Sequence, residues 1–360
     1  MDRWVADAER AVAANPRDAD ALRALAVAFM RKQRQCGDPG YYRRALAAIE
    51  RSMTLERNSY ESLKLKAWVL AGQHRFVEAR DLAEACIRQR PRDPWNYGTL
   101  ADARSELGDY PAAVAAVQQM IDRKPDLASY TRAAHQRDLH GDPEGALQLF
   151  DLALDATSPR DPESIAWVRV QRGTARLGMG TIKAADGEFQ RALAVQPGYH
   201  LALAGRARCQ GLLGYRREAI RLYEQALAVI PRPDWAIALG ELKQAGGDNA
   251  GAKAAYALAM AAMASAGASA DVDRLMALFL ADHGDAKAAL EHARRAARER
   301  DDIYTCDALA WALYKNGRYA EAEHASRLAR RLGTRDLTLL QHSMRIAARV
   351  PGAAQEASLR

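Results

Sequence analysis

The 360-residue chain predicts an all-α solenoid of stacked helix-turn-helix units, and two observations carry that prediction. The first is a period. Pro91, Pro125 and Pro159 stand 34 residues apart, as do Pro197 and Pro231. Gly108, Gly141, Gly180, Gly214, Gly247, Gly284 and Gly317 are each followed five residues later by alanine, at Ala113, Ala146, Ala185, Ala219, Ala252, Ala289 and Ala322. The second is composition. Ala, Leu and Arg run throughout, aromatics make up 7%, and β-branched runs are scarce, which favours helix over strand along the whole chain. A fixed period of this length marks a repeat array, whose single continuous core grows with length instead of dividing into domains.

Each element follows in order. Residues 3–14 read as a lone second helix of a pair. Residues 18–56 form a pair interrupted by "QRQCGDPGYY", and residues 58–91 a pair in which His74 stands where later pairs have glycine. Seven glycine-marked pairs follow, making about nine in all. In each, the glycine ends the first helix in a positive-φ conformation that other residues resist, and proline falls where the chain leaves the second helix. Small residues recur seven before the glycine (Ala101, Ala134, Gly173, Ala207, Gly240, Ala277, Ala310) and, after Met120 in the first of the series, twelve beyond it, as expected where helices approach closely. Nine after the glycine stand the bulkier Val117, Phe150, Phe189, Tyr223 and Tyr256, a rule that Ala293 and Ser326 break. The linkers 157–163 and 264–271 interrupt the period, the second being the expected hinge, and residues 336–348 read as a terminal helix over the last apolar edge. The organisation is thus 1–56, an N-terminal helix and irregular first repeat; 57–266, the main array; 267–335, the C-terminal repeats; and 336–360, a capping helix and tail.

This pattern of Gly at the turn, small residues on both helices, a bulky residue in the second helix and Pro after it resembles the tetratricopeptide repeat, over nearly the whole chain. The resemblance implies a right-handed superhelix with the first helix of each pair lining a concave groove. It also implies a non-catalytic scaffold that holds an extended peptide or a partner helix there. On the first helix, residues 13, 10, 6 and 3 before the glycine share one face at 3.6 residues per turn. That stripe supplies the candidate partner-binding residues Lys64, Trp68, Trp95, Asp102, His135, Arg208, Glu241, Tyr304, Asp307, Trp311 and Tyr314. Tyr304, Asp307, Trp311 and Tyr314 are expected to project into the groove, with Leu309, Ala310 and Leu313 against neighbouring helices. The competing expectation is that the terminal helix folds back over the aromatics. The carboxylate clamp of chaperone-binding members is absent as a set, since Lys64 is followed by Trp68, Gly98, Asp102, Thr131 and His135 at the clamp offsets.

Other function classes lack an anchor. No HExxH, phosphate-binding glycine loop or GxSxG occurs, and the eight histidines make no ligand pair at i, i+4, so neither an enzyme nor a cofactor nor a metal is expected. The four cysteines lie 50 or more residues apart and read as small core residues. Without a signal-like or membrane-length apolar run, the expected location is cytoplasmic. The net charge of +7 permits nucleic acid without indicating it. The alternative reading is a basic adaptor touching RNA or an anionic surface through Arg294, Arg295, Arg298, Arg327, Arg330 and Arg331.

Overall fold

A computed structural model describes residues 2–350, and the tail 351–360 lies outside the described residues. Among the described residues there are twenty α-helices and no strand. A lone α1 (Asp2–Ala14) precedes nine pairs: α2 (Ala19–Cys36) with α3 (Gly40–Leu55), α4 (Tyr60–Gly72) with α5 (Phe76–Gln89), α6 (Pro94–Leu107) with α7 (Tyr110–Arg123), and α8 (Leu127–Leu139) with α9 (Pro143–Asp155). Then come α10 (Pro162–Gly178) with α11 (Ile182–Val195), α12 (His200–Leu212) with α13 (Arg216–Val229), α14 (Pro233–Ala245) with α15 (Asn249–Ala266), α16 (Ala270–His283) with α17 (Ala286–Glu299), and α18 (Ile303–Lys315) with α19 (Tyr319–Ala329). A last helix, α20 (Leu337–Ala347), follows. The chain divides into two compact units, residues 1–132 and 133–360.

The turns are built as the glycines require. Gly108, Gly141, Gly180, Gly214, Gly247 and Gly317 have φ between 73° and 86°, and His74 takes the same left-handed conformation at φ 60°. Gly284 departs from the expected positive φ. It has φ −147° and ψ −143°, so the chain leaves α16 extended. An aspartate directly after the glycine then starts the second helix: Asp109, Asp142, Asp248 and Asp285 each accept a backbone N–H of the first turn.

Between the helices the small residues vanish into the core. Ala113, Ala146, Ala185, Ala219, Ala289 and Ala322 are fully buried. Where the second helix carries a large ring, the first can lose even its Cβ: a methyl on Gly173 would come within 2.7 Å of the Phe189 ring, and one on Gly240 would overlap Tyr256. Ring and glycine are thus a knob and its hole, and filling the hole forces the rings to move.

Polar staples join one pair to the next. Arg104 bonds Glu84, Arg206 bonds Asp186 and Lys243 bonds Glu224, each reaching from a first helix to the second helix before it. The densest cluster lies within one pair, where the nearly buried carboxylate of Glu188 on α11 is within 4 Å of Arg169, Arg172 and Arg176 of α10 and of Arg191, and Arg172 also links to the pair before through Asp151 of α9. A buried carboxylate survives there because several guanidinium groups replace the water it has lost.

Candidate protein-interaction surface

First helices of successive pairs touch one another: α2 with α4, α4 with α6, α10 with α12, α14 with α16 and α16 with α18. They form a continuous row in places along each unit, and the stripe residues lie on these helices.

In residues 1–132 the stripe is partly open. Trp68, half-buried on α4, meets Trp95 of α6 edge to face, with ring centroids 5.2 Å apart at 90°. Trp95 remains 42% exposed. Its position is set by Asp93, the N-cap of α6, which accepts the Trp95 backbone N–H at 3.0 Å. Asp93 also accepts the Tyr60 hydroxyl at 2.7 Å and the Lys64 ammonium at 3.2 Å, and Tyr60 in turn accepts from Asn96 at 2.7 Å. Burial alone would raise the Asp93 carboxyl, but the Tyr60 hydroxyl, the Trp95 N–H and Lys64 outweigh it and hold the carboxyl below its ordinary value. Burial alone would likewise lower Lys64, and Glu61 with Asp93 keeps its ammonium above the ordinary range. Lys64 is therefore half of a network and not a free cation. Asp102 is also engaged, by a two-pronged bond from Arg132 at 2.7 and 2.9 Å. What this stretch leaves open is the aromatic edge of Trp68 and Trp95. Asp93 and Tyr60, which organise it, are absent from the sequence-derived set. The Asp93–Pro94 step was the available signal for Asp93, since Asp before Pro is a helix-start pattern, whereas nothing local marks Tyr60.

In the second unit the stripe has mixed fates. His135 is exposed on α8, Arg208 is half-buried on α12, and Glu241 is exposed on α14, where it meets His283 at 3.2 Å. Tyr304 at the start of α18 is 38% exposed.

Trp311 and Asp307 require a correction, because neither faces an open groove. Trp311 is 1% exposed and Asp307 6%. Helix α20 starts 34 residues after α18, so it takes the slot of the next first helix and lies over the α18 stripe. Its His342 ring stacks on Trp311 at 4.1 Å and 10°, with Tyr314 stacked on Trp311 at 5.0 Å and 11°. His342 Nδ1 donates to Asp307 Oδ2 at 2.8 Å, and Trp311 Nε1 donates to Asp282 Oδ1 at 3.1 Å. The carboxylate beside Trp311, which argues for exposure when it is considered alone, is buried with a partner from another helix. Tyr314 is partly buried, and Ala310 and Leu313 are in the core as expected.

The C-terminal arginines are divided. Arg295 is held by Asp273 at 2.9 Å, Arg330 by Glu323 at 3.2 Å and Arg331 by Asp301 at 3.6 Å, whereas Arg294, Arg298 and Arg327 are exposed. No helix among the described residues is long and apolar enough to cross a membrane.

Residues 70–136 match the tetratricopeptide repeat family model. No curated protein matches the chain in sequence. Among solved structures, the human IFIT1 dimer with PPP-AAAA aligns over 87% of this chain and 84% of its own, at 14% identity and a TM-score of 0.52. The type IV pilus biogenesis factor PilW aligns over 57% of this chain and 94% of its own at 18% identity, with a TM-score of 0.48. A tetratricopeptide repeat protein from Parabacteroides merdae aligns over 71% and 98% at 18% identity, with a TM-score of 0.45.

Proposed function

We propose that this chain, a tetratricopeptide repeat protein, is a non-catalytic interaction scaffold whose open binding surface is the Trp68–Trp95 edge on α4 and α6. The observation that carries the reading is the pairing of an exposed Trp95 with a backbone and side-chain network that fixes it in place. An aromatic ring presented on a rigid support offers a large contact area with little rotamer freedom to lose, which is the profile of an interface anchor. Lys64 and Asp102, already paired, contribute polar rim. The ligand that fits is an extended peptide or a helix with an apolar side chain to lay against the two indoles.

The basic-adaptor alternative has less support, because Arg295, Arg330 and Arg331 are each tied to a carboxylate within the fold. The likeness to IFIT1 concerns the fold, and the PPP-AAAA bound there is not carried over to this chain. The test is selection of binders from a displayed library of random peptides, followed by titration of a synthetic winner against wild type, Trp95→Ala and Trp68→Ala. The expected result is that the winner loses about 1–3 kcal/mol of affinity with either variant. Winners that bind both variants as tightly as wild type would place the surface elsewhere.

A further inference from the structure

The loop between α19 and α20 does more than connect them. It reaches back within the second unit to the α8–α9 turn and the end of α10. There Gly141, at φ 76°, lies against the carbonyl of Gly333, also at φ 76°, so closely that a Cβ on Gly141 would overlap that oxygen. A Cβ on Gly178, at the end of α10, would stand 3.3 Å from the Arg335 carbonyl oxygen. Arg335 Nη1 reaches Glu144 Oε1 of α9 at 3.5 Å. Two backbones can touch in this way only where side chains are missing. The seam therefore joins the α8–α9 turn, α9 and the end of α10 to the segment that carries α20.

One feature of the seam opposes closure. Asp138, half-buried on α8, faces Asp336, the residue that caps α20 by accepting the Thr338 and Leu339 N–H groups. The other charged groups around the seam have partners. Arg137 bonds Asp142 at 2.7 Å, Arg335 takes Glu144, Arg331 takes Asp301, and Arg176 at the end of α10 leans on Glu188. His140 Nδ1 lies 2.7 Å from the Gln136 carbonyl.

We propose that this seam is a clasp between the α8–α10 turn region and the segment that carries α20, shut when Asp138 is protonated and loosened when Asp138 and Asp336 are both charged. It stands independently of the Trp68–Trp95 reading, which concerns the other unit. Burial, with the Asp336 charge adding to it, pushes the Asp138 carboxyl up to about 6. An opened seam returns that group toward an ordinary carboxylate near 4. The closed form therefore binds the extra proton between about pH 4 and pH 6, so closure strengthens as pH falls through 6 and weakens above it. The two-unit difference bounds the change in the closing equilibrium at about 100-fold.

Hydrogen exchange of residues 331–340, corrected for intrinsic rates, reads that equilibrium at pH 5 and pH 7.5. Wild type is expected to be protected more at pH 5, by about 10-fold, since pH 5 lies midway between the two carboxyl values. Asp138→Asn should show the same protection at both values. Gly141→Ala should lose protection at both, while Gly214→Ala, equally strained at φ 85° but with nothing near its Cβ, should keep it. Should Gly141→Ala fail to fold, Arg335→Glu on the surface should loosen the same segment by opposing Glu144. Equal wild-type protection at the two pH values, a pH response that survives in Asp138→Asn, or unchanged protection in both Gly141→Ala and Arg335→Glu would overturn the clasp.

Discussion

Trp95 and Trp311 both belong to the first-helix stripe, yet one is 42% exposed and the other 1%. Around Trp95 the neighbouring first helix offers Trp68 edge-on, and the polar partners gather below at Asp93, Tyr60 and Asn96, leaving the ring's outer face in solvent. Around Trp311 the neighbouring helix is α20, which brings a histidine ring flat onto the indole and a donor for Asp307. The difference teaches that stripe register decides which residues can meet the next helix, while the side chains of that next helix decide whether anything remains to meet a partner. An indole sandwiched between His342 and Tyr314 contributes to stability, and one held at its edge is available for binding.

The largest test of this contrast is Trp311→Ala. Removing a fully buried indole should leave a cavity and cost about 3–5 kcal/mol, seen as a lowered melting temperature for the second unit. A melt unchanged from wild type would show that α20 does not cover Trp311 in solution. Next in size is His342→Ala, which leaves the Asp307 carboxylate buried without its donor and should cost about 1–3 kcal/mol. The same variant should make Trp311 more accessible to acrylamide, and no change in quenching would break the stacking account. Asp93→Ala removes a helix cap and the hub that holds Tyr60 and Lys64, for an expected loss of about 1 kcal/mol in a urea melt. The smallest effect on stability belongs to Trp95→Ala, which should stay within about 0.5 kcal/mol of wild type, as a change at a mostly solvated ring does. If Trp95→Ala melts as far below wild type as Trp311→Ala does, the two tryptophans are not the contrasting pair described.

Much of the array is legible before any coordinates. The left-handed turn glycines are read from residues within a single turn, where local sterics settle the backbone. The one turn misjudged, at Gly284, shows the limit of that reading: glycine permits positive φ without requiring it, and here the chain leaves α16 extended. The candidate surface is legible only in part. Trp68 and Trp95 are found by register, whereas Asp93 and Tyr60, which hold Trp95 in place, act through bonds spanning 33 and 36 positions that no short spacing predicts.

By itself the sequence determined the period, the helix pairs and the face on which each side chain sits, because those follow from 3.6 residues per turn and from the conformational range of glycine and proline. Only the tertiary structure decided which parts of that face stay open. Burial of Trp311 depends on a histidine 31 positions later arriving on another helix, and closure of the seam depends on Gly141 meeting Gly333 across several intervening pairs. Exposure belongs to an assembled set of helices, because water is excluded from a side chain by what packs against it and not by its place in its own helix.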